Sequence, residues 1–122
     1  VAQGPGERRA SVVVQARLRQ PPRAEIGVGF TATRKVGGAV VRNRARRRLR
    51  EAARRLLPRL GTAGADYVLI ARLETADCLW ARLLDDVESA LISLARRLTA
   101  RENPDHPRAR APTRARNRPK PR

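Results

Sequence analysis

Apolar residues recur along this chain with two different periods. Over Ala10–Arg19, Val12, Val14, Ala16 and Leu18 take alternate positions and Ser11, Val13, Gln15, Arg17 and Arg19 fall between them, which predicts a half-buried strand over 11–19. Pro21-Pro22 then forces a turn. Glu25–Thr33 alternates again, with Ile26, Val28, Phe30 and Ala32 on one face and Gly27, Gly29, Thr31 and Thr33 on the other. Glycine weakens a strand, so this small, polar second face implies close approach by a neighbouring strand or by a ligand.

After Arg34-Lys35-Val36-Gly37-Gly38, a basic turn, the period lengthens. At about 100° per residue Val41, Ala45, Leu49, Ala52, Ala53 and Leu56 share one apolar arc, predicting a helix from Ala39 to about Leu57. Pro58 disfavours its continuation and Gly61 closes the segment. Asp66–Arg72 holds the unbroken apolar run Tyr67-Val68-Leu69-Ile70-Ala71, read as a strand buried on both sides or nearly so. From about 79 to 100, Trp80, Leu83, Leu84, Val87, Leu91, Leu94, Ala95 and Leu98 form a second helical stripe, with Asp77 the expected N-cap and Trp80 a core anchor. Strand, helix and strand in succession make a βαβ unit. The fold class is therefore α+β, a small mixed sheet with helices packed on it.

Charge changes the picture of the first helix. Its polar face carries Arg44, Arg46, Arg47, Arg48, Arg50, Arg54 and Arg55, and Glu51 is the only acid among them. A solvated face ordinarily interleaves acids and bases at i,i+4 spacing, so this one calls for a polyanion. The whole chain repeats the bias: of 122 residues 28 are basic, all arginine except Lys35 and Lys120, against 11 acids, for a formal net charge of +17. Guanidinium presents a planar fork that matches phosphate and stacks on exposed bases.

The stretch Val36, Ala39, Arg42-Asn43-Arg44, Arg46, Arg47, Leu49, Arg50 resembles the signature of the protein component of bacterial ribonuclease P. Ala45 departs from it, standing where that family usually has Val or Ile. The similarity runs from about Ser11 to Arg101. The resemblance implies an RNA-binding subunit of a ribozyme that assists removal of the 5′ leader from precursor tRNA, with a left-handed crossover in the βαβ unit. It implies that Arg42, Asn43, Arg44, Arg46, Arg47 and Arg50 contact the catalytic RNA, with Lys35 beside them, and that the leader lies in a cleft along the sheet. Arg34 and Arg54 complete the expected RNA-binding set. Mg²⁺ is expected on the RNA subunit, not on the protein. A helix that the family carries before this region, opening on a basic-Leu-basic run, is absent from the sequence, so 1–9 is expected to be a remnant linker, 10–101 the RNA-binding domain and 102–122 a disordered basic tail.

Other chemistry finds little support. Lys35 precedes Gly37-Gly38 and no Gly-Lys-Ser/Thr follows, so this is not a nucleotide-binding phosphate loop. His106, the single histidine, falls in the tail, and Asp85, Asp86 and Glu88 read as solubilising charge on a helix, so no general base or metal cluster is expected. The lone Cys78 allows no internal disulfide and fits a reducing cytoplasm. No apolar run approaches the roughly 18 residues of a membrane span. Two alternatives remain: a general or ribosome-associated RNA-binding module of the same shape, and a DNA-binding helix. The second is disfavoured because only Asn43 among the basic residues suits base reading.

Overall fold

A computed structural model describes residues 4–19 and 24–102. The first alternating stretch forms β2 (Val12–Leu18) and the second forms β3 (Gly27–Thr31), while Ala65–Ala71 forms β4 and a short strand β1 (Gly6–Arg8) precedes them. The four strands lie in the order β1-β2-β4-β3. β2 is antiparallel to both β1 and β4, and β3 is parallel to β4, the two being joined by the helix α1 (Ala39–Leu60). The second helix, α2, spans Trp80–Glu102.

Register sorts the strand residues into two faces. Val12, Val14 and Ala16 sit opposite Ala71, Leu69 and Tyr67, and all six are buried. Against this face pack Ala45, Leu49, Ala52, Ala53, Leu56 and Leu57 of α1, and Leu83, Val87, Ala90, Leu91, Leu94 and Leu98 of α2. The core is thus aliphatic and small-residue rich, and Tyr67 is its one fully buried aromatic ring, its hydroxyl accepting the Thr62 N–H at 2.8 Å. Ala45, the departure from the motif, is fully buried beneath α1.

On the other face the same register aligns Val13, Gln15 and Arg17 with Ile70, Val68 and Asp66, and these with Thr31, Gly29 and Gly27. No described helix lies on it. β4 is therefore buried on one face only, its remaining residues half-covered, and not on both as its unbroken apolar run suggests. The run arises because Val68 and Ile70 furnish the floor of an open face.

Three further expectations are corrected. Gly6–Arg8, expected as linker, is a strand, since β2 has a free edge that Glu7 and its neighbours pair with, and Arg97 of α2 grips Glu7 at 2.7 Å. α1 runs through Pro58 to Leu60; proline forfeits one helical bond, but Leu56 and Leu57 are buried on the core and the Gly61 N–H closes on the Leu57 carbonyl at 2.8 Å. Asp77 does not cap α2, which starts at Trp80; its carboxylate meets Arg44 instead. The tail expected over 102–122 lies outside the described residues except for Glu102, where α2 ends.

Candidate nucleic-acid interface

Gly37 makes the entry to α1. It holds φ at 149°, a conformation that side-chain-bearing residues rarely adopt, and its N–H closes a tight 3-10 turn over Arg34–Val36 on the Arg34 carbonyl at 3.1 Å. A Cβ at this position would press on Val41 at 3.0 Å. The turn leaves Arg34 and Lys35 exposed just ahead of the helix, so the cations of turn and helix form one surface.

Helical geometry divides the arginines of α1 into three rows. Asn43, Arg47 and Arg54 form the crest, opposite the core. Arg42, Arg46 and Arg50 form the flank beside β3, where the Arg50 guanidinium lies 5.4 Å from the centre of the Phe30 ring. Arg44, Arg48 and Arg55 form the flank beside α2 and the segment 72–79. Rows differ sharply in how much of their charge is already matched within the chain.

On the α2 flank, Arg44 meets Asp77 at 2.8 Å, and Arg48 donates to the carbonyls of Thr75 and Cys78 at 2.8 and 2.6 Å while lying 5.7 Å from the Trp80 ring centre. Arg55 lies over the same indole at 5.6 Å and donates to Glu51, as does Arg54 from the crest. Trp80 thus packs against the core as expected, half-buried, and its ring also serves as a platform for two guanidinium groups. Hydrogen bonds from Arg54 and Arg55 hold the Glu51 carboxyl down at a pKa of about 2. Arg46 is hydrogen-bonded to Asn43 at 2.7 Å, which orients both side chains without neutralising the charge. Among the described residues Arg34, Lys35, Arg42, Arg47 and Arg50 have no ion-pair partner, and the Nε of Arg42 is enclosed without a hydrogen-bond acceptor.

Of the residues expected at the site, all nine therefore share one continuous surface, but Arg44 and Arg54 are partly matched by carboxylates. Arg48, which the motif passes over, braces the segment that carries Thr75 and Cys78. A second feature was not legible in the spacing: a cavity of about 380 Å³ walled by Ala10, Val13, Ile70, Ala71, Arg72 and Leu73 and closed by Thr33, Lys35, Val36 and Glu74. It joins the open sheet face to the basic turn. Only the register of β2 against β4 places Val13 beside Ile70, so no local signal marks it. Further along that face, a Cβ on Gly29 would meet nothing within 4 Å, whereas one on Gly27 would run into the Asp66 carboxylate. The strip at Gly29 is open backbone.

Among the described residues no three of His, Cys, Asp and Glu come together as a metal site. Asp86, expected to be surface charge, accepts the N–H and hydroxyl of buried Ser11 at 3.1 and 2.7 Å and ties α2 to the start of β2.

The model of the Ribonuclease P family matches residues 2–95. The ribonuclease P protein component of Caulobacter vibrioides is 56% identical over 94 residues, which cover 77% of this chain and 63% of that protein. That of Ruegeria pomeroyi is 57% identical over 86 residues, covering 69% of each. The alignment to the Caulobacter protein thus spans less than two thirds of its length. Among solved structures, the RNase P protein of Thermotoga maritima superposes with a TM-score of 0.64 at 24% identity, over 75% of this chain and 84% of that one. The Staphylococcus aureus RNase P protein gives 0.62 at 22% identity, over 79% and 84%. At such identities the structural likeness concerns the fold, and the family assignment rests on the sequence matches: the chain belongs to the ribonuclease P protein family.

Proposed function

We propose that this chain is the RNA-binding protein subunit of a ribonuclease P ribonucleoprotein and assists 5′ leader removal from precursor tRNA. The observation that carries the reading is the row structure of α1, in which Arg47 and Arg50 stand exposed without carboxylate partners among the described residues on a helix anchored to the core by its opposite face, with exposed Lys35 in the turn just ahead. Each phosphate they neutralise releases counterions and contributes about 0.7–0.9 to the slope of log affinity against log salt. Positioning and charge are then the protein's share of the work. Bond cleavage, with the Mg²⁺ it uses, belongs in this proposal to the RNA subunit, whose phosphates are suited to hold hard cations.

The leader is assigned to the open sheet face. A single strand laid along Gly29, Val68 and Gln15 would meet backbone and small side chains, with the apolar cavity at Val13 and Ile70 for a base and Lys35 and Arg72 for phosphates.

Reconstitution tests the proposal. Purified protein alone should leave precursor tRNA uncut at any Mg²⁺ concentration, and addition of the matching catalytic RNA should give 5′ cleavage at lower salt and Mg²⁺ than the RNA needs by itself. Cleavage by RNA-free protein, abolished by Asp85→Asn, would replace this reading with a protein nuclease.

A further inference from the structure

The segment 72–79 between β4 and α2 holds apolar side chains in solvent beside the guanidinium rows. Leu79 is 80% exposed and Leu73 73%, and Val40 on α1 matches them at 73%. Val40 lies one turn ahead of Arg44, which meets Asp77, and two turns ahead of Arg48, which holds the carbonyls of Thr75 and Cys78. It is therefore on the side of α1 along which the segment runs. Leu73 shares a cavity wall with Lys35 and Val36. Leu79 directly follows Cys78, one of the two clamped carbonyls.

The segment is braced. Thr75 is fully buried, its hydroxyl donating to the Ser11 carbonyl at 2.6 Å and accepting the Arg72 N–H at 2.7 Å. The N–H groups of Thr75, Asp77 and Cys78 close turns onto the carbonyls of Arg72 and Glu74 at 2.9–3.2 Å. Much of the backbone entropy that a loop loses on binding has thus been given up in folding, so contacts made by its leucines count more fully toward affinity. Exposed apolar groups on such a scaffold mark an interaction surface. Of the acids on the segment, Asp77 is paired with Arg44 and Glu74 is exposed, while Lys35 and Arg47 nearby are unmatched among the described residues. The surroundings thus favour a partner that offers negative charge together with apolar faces, as RNA does where bases unstack or riboses line a shallow groove.

We propose that Val40, Leu73 and Leu79 form an apolar contact element on which the catalytic RNA lays riboses or unstacked bases alongside the phosphates held by α1. This rests on the reading of the chain as a ribonuclease P subunit. It adds a contribution to affinity that salt does not screen.

The test is binding of the full chain to the catalytic RNA across a KCl series. Leu73→Ser with Leu79→Ser should weaken binding about tenfold, as loss of the apolar burial of two side chains predicts, with an unchanged salt slope. Leu73→Met with Leu79→Met, which keeps the apolar surface, should bind as the native chain does. The element is disproved if the serine variant binds normally while Arg46→Ala with Arg47→Ala and Arg50→Ala does not, or if serine and methionine variants lose affinity alike. A serine variant that changes sedimentation of the protein without changing RNA affinity also overturns it, pointing to a protein partner. If none of these variants alters binding, it is the subunit reading itself that fails.

Discussion

The two helices of this protein are nearly equal in length, 22 residues in α1 and 23 in α2, and bury similar sets of alanine, leucine and valine on the same sheet face. They part company only on the side turned to solvent. α2 mixes Asp85 and Glu88 with Arg82, Arg96 and Arg97, and two of its polar residues are engaged inward, Asp86 with Ser11 and Arg97 with Glu7. α1 sets eight arginines against a single Glu51 between Ala39 and Arg55. The inward faces make the fold; the outward faces differ in net charge, since the acids and arginines of α2 balance while α1 carries a large cationic excess.

The largest effect should come from making the helices alike. Arg46→Ala, Arg47→Ala and Arg50→Ala combined should lower affinity for the catalytic RNA about a hundredfold and flatten the salt slope by about 2 to 3. Arg82→Ala with Arg96→Ala on α2 should change affinity less than about twofold. Filter binding or fluorescence anisotropy between low and high KCl reads both quantities. Equal losses on the two helices would mean that net charge acts diffusely.

Within α1 the flanks should separate by stability. Arg48→Ala removes two charge-assisted hydrogen bonds to partly buried carbonyls and a contact with Trp80, so urea unfolding should show a loss of about 1–3 kcal/mol. Arg47→Ala, on the crest, should stay within about 0.5 kcal/mol of the native chain.

The sheet's open face should respond to a different ligand from that of α1. Gly29→Glu places a carboxylate where a Cβ meets no atom, so folding should be undisturbed while affinity for leader-bearing precursor falls about threefold to tenfold through charge repulsion. Affinity for leaderless tRNA and for the catalytic RNA should hold. Uniform losses across the three ligands would remove the leader from this face.

How much of this could be read along the chain depends on whether a feature is local. The strands at 12–18 and 27–31 and both helices follow from alternation and helical spacing, because each buries one face against a single core. The shared surface of the α1 arginines was legible for a related reason: helical periodicity fixes which side chains lie together. What escaped depends on residues far apart in sequence. Arg48 reads as one more basic residue until the Thr75 and Cys78 carbonyls arrive beside it, and β1 reads as linker because Gly6–Arg8 has no pattern of its own and is a strand only through pairing with β2. Pro58 misled for the opposite reason, a local penalty outweighed by burial of Leu56 and Leu57.

The smallest effect separates matched from unmatched charge on α1. Glu51 accepts hydrogen bonds from both Arg54 and Arg55, which is why its carboxyl titrates at about 2 and stays ionised at any pH suited to RNA. A depressed carboxyl stabilises the fold above the ordinary value of 4.5 and loses that contribution as pH falls toward 2, so mild acid cannot release the two arginines. Substitution can. Glu51→Gln keeps the shape, removes the one negative charge on the crest and frees Arg54 and Arg55 for phosphate. Because the ion pairs are exposed, they hold these arginines weakly, and affinity for the catalytic RNA should rise only about twofold to threefold. The salt slope should steepen by up to about 1 as one further phosphate is neutralised. An unchanged slope and affinity would place Arg54 outside the RNA contact and confine the interface to the turn and the first three turns of α1.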